Sequence, residues 1–302
     1  LYKQGIQPVW IKVENKSQAR ARVAVWSIDR DYFSPIEVAY TNRRKFSGQG
    51  YEAMQRWFYD NGLPRFTEPG ESTSGLVFTQ LRPGTKGFNL SIFANRTAHD
   101  FTFFVPLPGF IADFMEVDFA NLYAPAEVRD LDRAGLFKLL RDELGCCATD
   151  ASGELDGGPL NAVLIGSGQA VRRAMMRGDW IETSATDQRQ ERARRQHFMG
   201  RSPDAIFTKQ REDGNERIQL HLWLAPWRLE GEPGWVSTVF YFTEERSLLG
   251  VFDAGSAALN SELLSVFVRE SVSADVDNAQ LFLLQNLWYN GSLAESGHIP
   301  GP

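Results

Sequence analysis

The side chains in this sequence that could act as acids or bases centre on His221, which lies in a run of alternating residues from 218 to 224. Arg217 precedes it by four residues, and Asp275 and Asp277 form a pair of acids further along the chain. If a fold brought a histidine, a guanidinium and a carboxylate together, they could orient and protonate an ester or phosphate ester. These four residues are therefore the candidate catalytic set.

The same residues have an explanation without catalysis, which we favour. The alternation predicts a strand in which His221 shares a half-exposed face with Gln219 and Trp223. Asp275 and Asp277 stand where the N-cap and first turn of a helix favour acidic side chains.

The sequence predicts no metal site and no cofactor. There is no G-x-S-x-G motif of a serine hydrolase. The Gly166-Ser-Gly168 turn could hold an anion, but Val171 breaks the fuller glycine pattern, so we expect a plain tight turn. None of the four histidines has the spacing of a zinc motif: His99, His197, His221 and His298.

Two adjacent cysteines, Cys146 and Cys147, are a candidate redox pair. Neighbouring Cα atoms lie about 3.8 Å apart, below the roughly 4.4–6.8 Å that is usual for a disulfide. We therefore expect two reduced, buried thiols. A vicinal disulfide in an exported protein and a soft-metal site are the alternatives.

A cluster of arginines is the candidate for contact with anions or lipid headgroups. It holds one acid, Glu191, and no lysine, and its composition predicts an exposed loop. A solvated loop without a partner is the alternative. The arginines are Arg189, Arg192, Arg194, Arg195 and Arg201.

Composition excludes several classes of protein. The chain has 302 residues and a formal charge of −6, which argues against a nucleic-acid binder. A hydrophobic share of 43% is enough for packed cores, and the length predicts two domains. No apolar run approaches the ~18 residues of a membrane-spanning helix.

The first half predicts an all-β, immunoglobulin-like sandwich over residues 1–120, with one short helix inserted at 51–59. About seven short alternating segments are separated by Gly/Pro turns, as in such sandwiches. The clearest predicted strands cover residues 8–15, 21–28, 36–40, 74–79, 88–93 and 101–105.

The second half predicts an α+β domain over residues 159–302, with a mostly antiparallel sheet and two or more helices, after a helical connector at 121–158. Predicted helices cover residues 131–144, 169–178 and 276–289, the first capped by Asp130 and Gly145. Predicted strands cover residues 161–166, 205–209, 218–224, 235–242 and 248–252.

This second half resembles the LssY C-terminal domain family. The matching blocks occur in the family's order over about half the chain: CCATD from Cys146, GPLNAVLIG from Gly158, GDW from Gly178, RSPDAIFTK from Arg201, ER from Glu216, LWLAP from Leu222, DVD from Asp275, LLQNL from Leu283 and GHIPG from Gly297. The family's central strand has a His and an Arg where this chain has Gln219 and His221.

The first half is similar to the domain that precedes this module in bacterial envelope lipoproteins, through GIQPVW from Gly5, DYFSP from Asp31, and FTFFVP from Phe101. The resemblance implies an exported, periplasm-facing protein with a lipid anchor on an N-terminal segment. Because residue 1 is Leu, we expect that segment to have been removed.

Together these patterns predict a non-enzymatic envelope protein that binds a protein partner or an anionic membrane surface and no nucleic acid. The alternative is a hydrolase or accessory domain acting on lipid or phosphate esters, because the family's namesake carries the module beside regions that resemble lipid phosphatases.

Overall fold

The structure is a computed structural model, and it describes residues 1–29, 32–81, 86–105, 109–183, 195–210, 216–247, 267–272 and 276–299. The chain divides into two compact units, Leu1–Phe110 and Ile111–Pro302. The fold is mostly β, with antiparallel sheets and several helices. No helix in the described ranges is long and apolar enough to cross a membrane.

The first unit combines short sheets with a pair of helices. Its strands are β1 (Ile6–Glu14), β2 (Ala21–Ala24), β3 (Phe66–Thr67), β4 (Ser72–Gln80), β5 (Lys86–Ala94) and β6 (Thr97–Val105), and its helices are α1 (Pro35–Asn42) and α2 (Gly48–Asp60). Strands β1 and β4 pair antiparallel, and a second sheet has the order β3-β2-β5-β6. Both sheets contribute side chains to one core: Ile11, Val13, Val23, Ile28, Val77, Phe88 and Leu90.

The strand predicted at residues 36–40 is wrong, because the structure has helix α1 there. Ser34 caps this helix, since its hydroxyl accepts from the Glu37 amide while the Glu37 carboxylate accepts from the Ser34 amide. Pro35 fits the first helical position, where no amide hydrogen is needed. These end signals decide the conformation against the β-branched residues that follow.

The second unit is built around one large sheet. Its strands are β7 (Arg129–Leu131), β8 (Cys147–Thr149), β9 (Asp156–Pro159), β10 (Ala162–Ile165), β11 (Ile181–Glu182), β12 (Ala205–Gln210), β13 (Glu216–Leu229), β14 (Glu232–Ser247) and β15 (Phe267–Val272). Its helices are α3 (Arg133–Asp142), α4 (Gly168–Arg177) and α5 (Val276–Tyr289). The main order is β10-β14-β13-β12-β11, with β15 beside β14 and β7 beside β13.

The long hairpin β13–β14 forms the centre of this sheet. A two-residue turn at Glu230 and Gly231, both with positive φ, joins the strands, and Leu229 pairs with Glu232. Such a turn matches the natural twist of the strands it joins. The turn sets the register at the end of the hairpin, and an irregularity between Leu224 and Arg228 then shifts the pairing by two residues. As a result, His221 lies opposite Thr238 and Gln219 opposite Phe240.

Helices α4 and α5 cover one face of the sheet. The Lys209 ammonium donates to the Gly178 carbonyl after α4, and the Trp235 indole donates to the Gly166 carbonyl before it. Helix α5 lies beside α4, since the Trp180 indole donates to Asn286 Oδ1 over 2.8 Å.

The opposite face is covered by α3 and by the short hairpin β8–β9. Leu139 of α3 shares a core cluster with Trp227 and Val236 of the sheet. A Cβ added at Gly158 in β9 would collide with the Phe240 ring of β14. Helix α3 therefore packs within the second unit, although the sequence assigned it to a connector, and its caps are Asp132 and Glu143 instead of Asp130 and Gly145.

The other predicted strands and helices are present where they are described, except that the strand predicted at residues 21–28 ends at Ala24 and a 3₁₀-helix, Val25–Ser27, follows it. Ser167 caps α4, and the helix ends at Gly178 as expected. Most of the alternating segments are strands of the structure, because one side of each faces a core. The strand predicted at residues 248–252 lies outside the described residues.

Candidate functional site

His221 is buried in the middle of the large sheet, with 1% of its surface exposed. Its ring centroid lies 5.3 Å from that of Phe240 and 6.2 Å from that of Trp223, both on the same face of the sheet. The sequence predicted a half-exposed histidine, and this is wrong, because hairpin β8–β9 and helix α3 cover the face that the alternation left open.

Burial controls the charge of this histidine. It lowers the pKa of His221 to about 3, because no solvent is present to stabilise an imidazolium. The ring is therefore neutral at physiological pH. Its Nε2 lies 3.1 Å from Oε1 of Gln219, and since that oxygen can only accept, Nε2 carries the proton.

Two polar atoms next to this bond lack partners among the described residues. They are Nδ1 of His221, which in this tautomer is an acceptor, and the hydroxyl oxygen of Thr238 on the neighbouring strand. Nδ1 of His221 and the Thr238 hydroxyl could contact a substrate only if hairpin β8–β9 and helix α3, which cover them, moved away. As the fold stands, the site is closed.

The structure does not bring His221 and Asp277 together, two of the three catalytic candidates among the described residues. Arg217 lies on the face of His221, and its guanidinium packs 4.7 Å from the centre of the Phe242 ring. Asp277 is exposed at the start of α5, on the opposite side of the sheet. Asp275 lies outside the described residues. A histidine and an acid on opposite faces of one sheet cannot share a substrate.

A second group of buried polar residues lies where the 3₁₀-helix Asp113–Glu116 meets β11. The Thr183 hydroxyl donates to the Asp113 carboxylate, and Arg172 pairs with the Glu182 carboxylate. These acids are satisfied by side chains of the protein itself. Within the described ranges, no group of three or more His, Cys, Asp or Glu side chains is placed to hold a metal ion.

Arg201 belongs to an internal network, although the sequence grouped it with the anion-contacting arginines. Its guanidinium pairs with Asp204 and donates to the Tyr123 hydroxyl over 2.8 Å and to the Leu224 carbonyl over 2.9 Å. Burial raises the pKa values of both Asp204 and Tyr123, and Arg201 opposes both shifts. The role of Arg201 is therefore to compensate a buried carboxylate.

The rest of the arginine cluster is only partly visible. Arg195 is exposed, and its carbonyl oxygen lies 2.9 Å from Nδ1 of His197. Arg189, Arg192 and Arg194 lie outside the described residues. Their predicted contact with anions stays a prediction.

Cys146 and Cys147 form a vicinal disulfide, so the expectation of reduced, buried thiols is wrong. Cys146 is exposed and Cys147 is half-buried at the start of β8. Proximity along the chain is enough to bring the two sulfurs together. The usual Cα separation of disulfides, from which the sequence argument was made, does not apply to neighbours.

The first unit carries a basic surface that the sequence argument missed. We call it the basic tip: the link between α1 and α2 from Tyr40 to Ser47, which contains Arg43, Arg44 and Lys45. The nearest acids along the chain are Glu37 and Glu52. The sequence pattern predicts a strand at residues 36–40, and without helix α1 it does not predict a link between two helices here.

Exposed aromatic rings accompany these charges. Tyr40 is 54% and Phe46 50% exposed, and the Arg43 guanidinium lies 3.7 Å from the centre of the Tyr40 ring. Cationic and aromatic side chains on one helical link are the combination that peripheral proteins use at a lipid headgroup layer.

Comparison with known proteins adds no relative. No family model, no curated protein and no solved structure matches this chain.

Proposed function

We propose that this chain is a non-enzymatic protein of the bacterial cell envelope that contacts an anionic membrane surface through the basic tip. The observation that carries the proposal is the run of three basic side chains flanked by half-exposed Tyr40 and Phe46. In this proposal the first unit is an immunoglobulin-like domain and the second an LssY C-terminal-like domain. A lipid anchor ahead of Leu1 would hold both beside the membrane.

Electrostatics gives the tip its preference for anionic lipid. Each Lys or Arg near an anionic surface contributes about 1 kcal/mol, and salt screens the attraction. The aromatic rings add apolar contact at the level of the headgroups. A chain of formal charge −6 would be repelled by such a surface without a local basic patch.

The alternative of an ester hydrolase has less support. Its candidate base, His221, stays neutral down to low pH and is sealed beneath hairpin β8–β9. Its candidate acid Asp277 is exposed on the other side of the sheet. The same features agree with a protein that acts by binding.

Vesicle sedimentation tests the proposal with the full chain. We expect it to bind vesicles of phosphatidylcholine with 30% phosphatidylglycerol at low salt, and pure phosphatidylcholine far more weakly. A variant with Arg43, Arg44 and Lys45 changed to Gln should bind the anionic vesicles more weakly by on the order of a hundredfold.

The matched control removes the same charge elsewhere. Arg129, Lys138 and Arg141 are exposed basic residues of the second unit, and changing these three to Gln lowers the net charge equally. Equal loss of binding in the two triple variants would mean that only net charge matters, and the basic tip would not be the membrane contact. Esterase or phosphatase activity that depends on His221 would overturn the non-enzymatic part.

A further inference from the structure

The vicinal disulfide between Cys146 and Cys147 has no evident structural task. These are the two cysteines of the whole chain, so no other intrachain bridge can compete with theirs. A disulfide stabilises a fold mainly by restricting the unfolded chain, and the effect grows with the length of the loop it closes. A bridge between neighbours closes no loop, so it joins no two parts of the fold.

The chain around the bridge is held without it. The Leu160 amide donates to the Cys146 carbonyl over 2.8 Å, and Cys147 pairs with Pro159 across hairpin β8–β9. Ala148 is fully buried, and the Thr149 amide and carbonyl both bond to His197. The backbone on either side of the two sulfurs is therefore fixed by hydrogen bonds and burial.

The bridge is also accessible from one side. Cys146 is exposed, whereas Cys147 is half-buried. Disulfide exchange needs a thiolate to approach a sulfur, and access decides which sulfur it attacks. An attack on Cys146 releases Cys147 as the leaving thiolate.

We propose that Cys146 and Cys147 form a thiol–disulfide exchange site whose co-reactant is a dithiol reductant. A thiolate of the dithiol attacks the sulfur of Cys146, a mixed disulfide forms, and Cys147 leaves as a thiolate that takes up a proton. The second thiol of the reductant then attacks the reductant sulfur that is bonded to Cys146. The mixed disulfide breaks, and Cys146 leaves as a thiolate that takes up a proton. Two electrons and two protons pass to the protein, and the dithiol becomes a cyclic disulfide.

Mass spectrometry of the full chain tests this proposal. The native protein is incubated with dithiothreitol, quenched with an alkylating reagent, then denatured and weighed. We expect no alkylation before reduction and two alkyl groups after it, with the far-ultraviolet circular dichroism unchanged. In a parallel sample, removing the reductant and adding oxidised glutathione before the alkylating reagent should restore the unalkylated mass.

Single-cysteine variants test the order of attack. Cys147→Ser leaves Cys146, which should react with an aromatic disulfide reagent several-fold faster than Cys147 does in Cys146→Ser. Rates are compared with those of each variant in denaturant, so that the intrinsic reactivity cancels.

Three results would overturn the proposal. The first is two alkyl groups on the unreduced protein, which would mean that no bridge exists in solution. The second is a bridge that dithiothreitol reduces only after denaturation. The third is equal protection of Cys146 and Cys147 in the native variants.

Discussion

His221 and Gln219 occupy the same face of strand β13, two residues apart, and a 3.1 Å hydrogen bond joins the imidazole Nε2 to the amide Oε1. Both side chains are buried, and neither bears a charge at neutral pH. A polar pair of this kind inside a sheet specifies one tautomer of the histidine. It also couples the stability of the second unit to pH.

The free energy of unfolding should fall below pH 6.5 because of His221. Its pKa is about 3 in the folded protein and about 6.5 when unfolded, so between these values only the unfolded state binds the proton. The contribution of neutral His221 to the free energy of unfolding is fully present above pH 6.5. It is lost as pH falls, at about 1.4 kcal/mol per pH unit. Between pH 7 and pH 5 the loss is roughly 2 kcal/mol.

Urea unfolding at several pH values measures this slope. In the His221→Asn variant, the free energy of unfolding should fall less between pH 7 and pH 5 than in the parent, by roughly 2 kcal/mol. His298 is exposed, and His298→Asn, which keeps the buried histidine, serves as the control. Identical slopes for the parent and His221→Asn would show that His221 is accessible to protons in the native state.

Gly158 is required because the backbone of β9 lies directly on the Phe240 ring. Gly158→Ala should lower the free energy of unfolding by about 1–3 kcal/mol, since a methyl group must displace that ring or the hairpin. Gly145→Ala is the matched change, because a Cβ there meets no atom within 4 Å. Phe240→Leu should recover part of the loss in the Gly158→Ala background, and failure to do so would place the clash elsewhere.

How far the sequence predicts this molecule depends on the range of the interactions involved. Helix α4 could be predicted, because Ser167 and Gly178 mark its ends within the segment itself. Helix α1 has equally local signals at Ser34 and Pro35, but the β-branched residues that follow them favour a strand in the sequence pattern.

The environment of His221 could not be predicted, because its cover comes from residues distant in sequence. Alternation shows that a strand has two faces, but it does not show whether another element lies on the second. Here Gly158 and Leu139 belong to elements that pack on that face. The grouping of Arg201 with the other arginines failed for the same reason, since its partner Tyr123 lies 78 residues away.

Breaking the pair between Arg201 and Asp204 should be costly. Arg201→Met leaves a buried carboxylate without compensation, and we expect a loss of about 3–5 kcal/mol in urea unfolding. Arg141 forms an ion pair with Asp142 at the surface, and Arg141→Met should cost less than about 1 kcal/mol. Similar losses in the two variants would mean that the Asp204 site is open to water.

Tyr123→Phe provides a finer test of the same network. It removes a hydroxyl that donates to the Leu224 carbonyl over 2.7 Å and accepts from Arg201 over 2.8 Å, while Arg201 still donates to that carbonyl. The expected loss is about 1–3 kcal/mol, the usual net value of two hydrogen bonds. A loss as large as that of Arg201→Met would make the tyrosine, and not the arginine, the main support of the site.

The arginine cluster of the second unit should add to membrane binding by the basic tip. Arg192, Arg194 and Arg195 lie within four residues without an intervening acid, and Arg195 is exposed. Changing these three to Gln should weaken binding to anionic vesicles at low salt, and physiological salt should reduce the difference because it screens exposed charges. The comparison uses the same sedimentation assay and the same surface triple variant of Arg129, Lys138 and Arg141. If the cluster variant binds as well as the parent, these arginines are a solvated connector, and the tip alone would make the contact.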